Sequence, residues 1–512
     1  MKRGSYRQGF IFGAFSFAGA TVIGLISTVV TSRLYGVEIV GQFALVAAPV
    51  AALWVLSTVK EQQALIKEIT GLEPREPRVS QLFAVVFSFS WALTGVVGLL
   101  TAIVCWFVFR GPLGRPELVA PTFVSIAGYI VITNTCWNLD SVFSAFVAGR
   151  VLFWVNLHQG VSFVVLATGL SFVEHSVWGL TIATIASFGT SLVQRLIAVR
   201  HYVRPHLTWR EYREGLAVLP ELLRFGIKAT PGQIAQGAAQ QGGVWALGVV
   251  ASTAVVGAYS RAVVIPRNLQ TASMRITAVL YPTLVGRHQA GDGHGFDRAM
   301  IDSIRYEVIG MLLIAAAIGG AADYVLQIFG SGFSRAAPAL VLLMLYPAFA
   351  GITVTQTQAL WATDRPALTS WISGARLFVN LALLIVLTPS IGIAGPAIAV
   401  LSGEVVYVAL AGLALRRTMT RPLRETWKIR ERIVVLLAYA AGFGAAYGTE
   451  QALPFWPGVV LCLAAGSASF LAVFLLGGGL NHRDRERLGH LLRRLRARRR
   501  AAAGLAADAG GN

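Results

Sequence analysis

Apolar residues along this chain fall into long runs parted by short polar connections, with no sustained alternation of the kind that marks strands. A bilayer core takes about 20 apolar residues per helix. On that measure fourteen runs are expected, beginning near Gly9, Ile39, Leu82, Leu118, Val151, Val177, Gly226, Ala254, Arg305, Ala336, Ala367, Ile391, Ile433 and Pro457. The first follows Lys2, Arg3 and Arg7 in the manner of a signal peptide, but no small-residue cleavage site precedes the second run, so a retained first helix is expected.

Composition sharpens this picture: 55% of the 512 residues are hydrophobic and 13% charged, which excludes a water-soluble globule. The net charge of +19 raises the question of nucleic acid, and the placement of the charges answers it. With the N-terminus inside, the lysines and arginines gather in inner connections. Only Arg33, Arg110, Arg115 and Arg335 fall outside, and Arg195, Lys228, Arg261, Arg267, Arg275, Arg305 and Arg376 fall within spans. Such a bias is orientation charge. It predicts a multi-pass protein of the bacterial cytoplasmic membrane with both termini cytoplasmic, and no nucleic-acid partner. Cys105, Cys136 and Cys462 all lie inside apolar runs at no metal spacing, so they are expected to pack and not to ligate.

Two stretches recur at one offset. "EIVGQF" (Glu38 to Phe43) matches "AVVGAY" (Ala254 to Tyr259) 216 residues later, and "VWGLTIA" (Val177 to Ala183) matches "IAGPAIA" (Ile393 to Ala399) at the same distance. An offset of six helices preserves orientation and predicts two like halves about an axis along the membrane normal, with substrate held between them. The expected organisation is an N-terminal six-helix lobe (1–200), an interfacial linker (201–225), a C-terminal six-helix lobe (226–415), a basic loop (416–432), two further spans (433–479) and a basic tail (480–512). In that tail Leu488, Leu491, Leu492 and Leu495 share a helical face beside a run of arginines, as in an amphipathic helix on the anionic inner leaflet.

The segments Gly36 to Ile69, Val255 to Leu269 ("VVGAYSRAVVIPRNL"), Phe329 to Ile352 and Ile391 to Glu404 resemble the bacterial polysaccharide flippase family of the multidrug/oligosaccharidyl-lipid/polysaccharide (MOP) superfamily. The resemblance implies an all-α, two-lobed membrane fold with two extra C-terminal helices. It also implies translocation of undecaprenyl-pyrophosphate-linked oligosaccharide for exopolysaccharide, capsule or O-antigen assembly, alongside polymerases and glycosyltransferases. In the related lipid II flippases an arginine on span eight precedes a proline by five residues, as Arg261 precedes Pro266 here. Span one lacks mid-span arginines, and "QGGVWALG" (Gln241 to Gly248) lacks the acidic residue common in the polysaccharide branch.

A cation at a helix centre costs about 2.5 to 3.5 kcal/mol and usually faces a bundle interior or a wet cavity. At 100° per residue Arg261 and Arg275 project about 40° apart and Arg267 within about 120° of both, so one broad face could carry all three, with Pro266 bending the helix between them. Guanidinium groups bind phosphate oxygens in bidentate fashion, so the expected ligand is a pyrophosphate head group. For Arg275, snorkelling to the inner interface is the competing expectation; for Arg261 and Arg267 it is pairing with a carboxylate.

Arg376 and Glu404 lie at depths that differ by roughly 3 Å on adjacent spans, which predicts an ion pair or a site for a coupling proton or cation. Lys60, Glu61, Lys67 and Glu68 close the inner end of span two, where a surface ion cluster is the plain expectation and admission of head groups from the cytoplasm the sharper one. Asp140 and Asn138 are expected to be helix-end polar residues and His158 a packing histidine. No nucleophile, acid and base pair or metal cluster stands out, so no covalent chemistry and no cofactor are expected beyond a coupling ion (proton or sodium) or the membrane potential. The alternatives are a multidrug or metabolite efflux transporter, which calls for a more acidic cavity, and a polysaccharide polymerase, which calls for larger outer loops.

Overall fold

The computed structural model describes residues 6–204, 208–277, 280–416, 419, 427–480 and 484, without the side chains of 6–18, 20, several between 221 and 240, and 272, 273 and 275–277. The basic tail from 485 and most of the loop at 417–426 lie outside the described residues, as does the expected amphipathic face at Leu488 to Leu495. The described elements are helices, with no strand among them. In hydrocarbon a helix satisfies its backbone within itself, and this composition leaves few other ways to do so.

Expected spans one and two form α1 (Tyr6–Leu56), which turns at Gly36 with φ 73° and ψ 173°, a conformation that only glycine adopts without strain. Span two continues, after a break at 57–60, as α2 (Glu61–Ile69). Then follow α3 (Pro77–Arg110), α4 (Val119–Gly128), a π-helical turn at Tyr129–Thr133, α5 (Asn134–Ala145), α6 (Gly149–Ser171) and α7 (Val177–Val199). The linker holds α8 (Trp209–Leu216), started by a capping box between Thr208 and Glu211. The second half comprises α9 (Leu219–Val250), α10 (Thr253–Thr277), α11 (Leu280–Gln289), α12 (Gly293–Gly320), α13 (Ala322–Gln327), α14 (Ala337–Leu343), α15 (Tyr346–Ala362), α16 (Pro366–Ile391) and α17 (Ala394–Arg416). Prolines at the first turns of α3 and α16 sit where a backbone donor would go unused anyway. Last come α18 (Ile429–Ala452) and α19 (Phe455–Leu476), packed on each other and on α12.

Ten helices among the described residues are long and apolar enough to cross a membrane. That is short of the fourteen runs: α1 enters as one piece, and α9, α10 and α12, the expected spans seven to nine, fall below the measure. Polar residues explain α10 and α12, which carry Arg261, Arg267, Arg305 and Glu307.

The matched repeats touch each other. Gly41 on α1 and Gly257 on α10 are 216 residues apart, as are Val37 and Thr253. A Cβ on Gly41 would stand 1.8 Å from the Thr253 carbonyl oxygen, and one on Gly257 would stand 2.0 Å from that of Val37. Reciprocal contact of this kind needs glycine on both sides and lets the two backbones close on each other. Around it, Arg33 donates to the carbonyls of Ile328 (2.8 Å) and Gln327 (3.1 Å), and Arg115 donates to that of Ala251 (2.8 Å). Both halves are therefore sealed together on the expected outer side. At the opposite end Arg305 pairs with Asp484, Glu431 lies 3.9 Å from it, and Tyr306 donates to Asp484 (2.6 Å), which ties α12 to the start of α18 and to the chain beyond α19.

Candidate functional site

The C-terminal half buries an ion pair at the middle of two adjacent helices. Arg376 on α16 donates to Glu404 on α17 at 3.0 Å, and the other Glu404 oxygen accepts from Thr353 on α15 at 2.8 Å. Arg376 is 6% exposed and Glu404 4%, so each charge depends on the other for compensation. Gly403 makes the approach close, since a Cβ there would come within 3.1 Å of the Arg376 carbonyl oxygen. The Arg376 guanidinium also stands 5.4 Å from the ring centre of Tyr407, a cation–π distance. Not every group is used: Arg376 Nε and both polar atoms of Asn380, one turn along α16, have no hydrogen-bond partner among the described residues.

Those unused groups border a small cavity of about 40 Å³. Its polar lining is Tyr259, Arg267 and Gln270 from α10, Tyr346 from α15, Arg376 and Asn380 from α16, and Glu404 from α17. Pro266 lies in the same wall. The cavity thus holds two arginines and one carboxylate, a surplus of one positive charge among its named ionisable groups.

The three arginines of α10 do not share one surroundings. Arg267 lines the cavity. Arg261 is half-buried and donates its Nε–H to Ser32 on α1 at 2.7 Å, so it bridges the two halves instead of lining that cavity. The Arg275 side chain lies outside the described residues. α10 runs through Pro266 as one helix.

Lys60 and Lys67 part company too. Lys67 is exposed on α2, while Lys60 is half-buried in the break before it, with φ 61°. The expected surface cluster gives way to a buried cap: Glu61 is 0% exposed and accepts from the Val59 amide (2.9 Å) and the Thr58 hydroxyl (3.1 Å). Helix-end desolvation accounts for this, because the break leaves backbone donors that a carboxylate satisfies.

Asp140 is not a solvated helix-end residue. It receives two hydrogen bonds from Arg195 of α7, at 2.8 and 3.0 Å, and Arg195 also donates to Ser191 (2.7 Å) and to Asn156 of α6 (3.1 Å). Asn138 is buried as well and bonds to Ser90 and Asn134. The signal for the Asp140 pair was present in the sequence: Arg195 lies four residues from the end of α7 at Val199 and Asp140 five from the end of α5 at Ala145, so their depths match. His158 has Ser162 at 3.3 Å, and the three cysteines are buried and free.

Residues 29–338 match the family described as polysaccharide biosynthesis protein. The chain belongs to that family. No curated protein sequence matches it. Its fold is similar to that of a lipid II flippase, MurJ, in an inward closed conformation, at 12% identity and a TM-score of 0.67, over 92% of this chain and 99% of that one. It is also similar to an inward-facing multidrug resistance MATE family transporter of the MOP superfamily (16% identity, TM-score 0.61, 80% and 96% covered). A third likeness is to a MOP superfamily transporter from Pyrococcus furiosus, described as having a binding pocket of reverse polarity (14% identity, TM-score 0.57, 81% and 96% covered). This member of the polysaccharide biosynthesis family is therefore a multi-pass membrane protein with a MOP-type transporter fold.

Proposed function

We propose that the protein is a flippase that carries undecaprenyl-pyrophosphate-linked oligosaccharide across the bacterial cytoplasmic membrane for exopolysaccharide, capsule or O-antigen assembly, with both termini in the cytoplasm. The observation that carries this reading is Arg267, a permanent cation placed in the wall of a cavity deep in the second half of a polysaccharide biosynthesis protein. Phosphate oxygens are the natural complement of such a group. Arg261 sits on the same helix at the junction of the halves, where its bond to Ser32 would be released as they separate. Arg275 is in this reading a further head-group ligand, and Lys60 and Lys67 meet the head group as it arrives from the cytoplasm. In this reading the lipid tail stays in the bilayer, the halves described by 1–200 and 226–415 rock against each other, and polymerases and glycosyltransferases work on either side.

A second reading, efflux of organic cations, draws on Glu404 in the same cavity wall. Arg376 neutralises that carboxylate, so the cavity favours anions. The experiment is mass spectrometry of lipid-linked glycans in cells lacking the protein and complemented with wild type, Arg267→Ala or Arg261→Ala. A complete undecaprenyl-pyrophosphate oligosaccharide should accumulate and be cleared by wild type alone. If no such lipid builds up and the outer polymer is unchanged, the glycan reading is wrong.

A further inference from the structure

Glu307 on α12 is the one carboxylate among the described residues whose two oxygens are both shut from solvent and both without a hydrogen-bond partner. Its carboxyl group lies against Gly351 of α15, where a Cβ would fall 2.2 Å from Glu307 Cδ. Residues four and seven positions along a helix return to the same stripe, and on α15 those are Thr355 and Gln358. Thr355 is 0% exposed with a hydroxyl that has no partner, and Gln358 Oε1 has none either. On the opposite stripe of α15, Thr353 bonds to Glu404, Thr357 to Tyr407 (2.6 Å), and Gln356 donates to the Val408 carbonyl (3.2 Å). One side of α15 thus serves the Arg376 pair, and the other carries a buried hydroxyl and an amide oxygen that have no partner among the described residues.

Among the described residues no charged side chain of the neighbouring helices pairs with Glu307. Arg305 and Tyr306 turn to Asp484, Glu431 lies beside Arg305, Arg287 of α11 donates to the Gly295 carbonyl, His288 faces the Phe296 ring, and Arg267 lines the cavity. An ionised carboxylate buried without a counter-charge is strongly disfavoured, whereas the neutral acid has an O–H to give to an oxygen.

We propose that Glu307, packed at Gly351 on the stripe of α15 that continues through Thr355 and Gln358, is a proton-binding site on which transport depends, separate from the Arg376–Glu404 pair. Taking up one proton converts the carboxylate to a carboxylic acid, which lets α12 rest on Gly351. Losing it leaves a charge that draws in water or parts α12 from α15. The site is then a lever between the proton and the packing of the second half. This rests on the transporter fold and not on the identity of the cargo.

The test is infrared difference spectroscopy of the full-length protein in lipid nanodiscs as pH is stepped between about 5 and 9, a range in which free carboxylates are already ionised. Wild type should show the C=O stretch of a protonated buried carboxyl at neutral pH, which fades as pH rises. The band should vanish in Glu307→Gln, shift in Thr355→Val and persist in Glu404→Gln. Glu307→Asp should keep a band at a new frequency, which covers failure of the glutamine variant to fold. No such band in wild type, an unchanged band in Glu307→Gln, or loss of the band on adding sodium at fixed pH would each overturn the proposal. None of these readouts uses a glycan lipid, so they stand apart from the test of the cargo.

Discussion

The two halves each bury an arginine–carboxylate pair among equivalent helices, yet they build it differently. With the 216-residue offset, α5, α6 and α7 correspond to α15, α16 and α17. In the first half Arg195 uses all three of its nitrogens, two on Asp140, one on Ser191, with Asn156 completing the set. In the second, Arg376 holds Glu404 by one bond, keeps Nε unused, and shares a cavity wall with an Asn380 that bonds to nothing described. A saturated network has no capacity left for a ligand and serves to fix helices. A partly used one beside a cavity costs stability and keeps groups ready for something that comes and goes. The loss of charge at one position agrees with this division of labour: Gln356, unable to ionise, occupies the position that corresponds to Asp140.

This contrast can be broken by substitution. Arg195→Ala should have the largest effect on folding, about 3 to 5 kcal/mol, because Asp140 would be left buried and alone. Size-exclusion and thermal melting in detergent would show it as loss of monodisperse protein. Arg376→Ala should cost less stability, since water from the cavity can reach Glu404, and more transport. Exchanging the two residues (R376E with E404R) sharpens the point: a purely structural pair should keep transport, and a working site should lose it while folding normally. Next, Gly41→Ala or Gly257→Ala overpacks the contact between the repeats, at about 1 to 3 kcal/mol. The expected result is a wider outer side, read as a longer spin-label distance between the Gly36 turn of α1 and α13 and as slower transport. Lys67→Ala, on an exposed face, should change stability by less than about 0.5 kcal/mol, so any larger fall in transport would mark it as part of the head-group path.

Much of the frame was legible before any coordinates, and for clear reasons. Long apolar runs, orientation charge and the shared offset follow from how a bilayer treats backbone and charge, and they gave an all-helical protein in two like halves. Depth along a helix is also readable, which is why Arg376 and Glu404 could be matched and why Asp140 and Arg195 could have been. Azimuth was the weak point. Helical angles allowed Arg261 and Arg267 a common face, but which neighbour each one meets depends on packing that a single helix does not encode. The cavity partners Gln270, Asn380 and Tyr346 are ordinary residues in sequence, and Glu307 lies so close to Arg305 and the charged inner connection that its burial does not show there. The break before α2 escaped notice because Glu61 reads as a surface acid until its backbone partners are seen.

The decisive measurement is translocation by the purified protein in vesicles that carry undecaprenyl-pyrophosphate oligosaccharide in the inner leaflet, followed by a lectin that binds only sugar exposed outside. Wild type should bring the glycan to the lectin, and Arg267→Ala, equally folded, should leave it inside. Vesicles in which wild type exposes no glycan but releases a trapped organic cation would contradict the flippase and favour efflux.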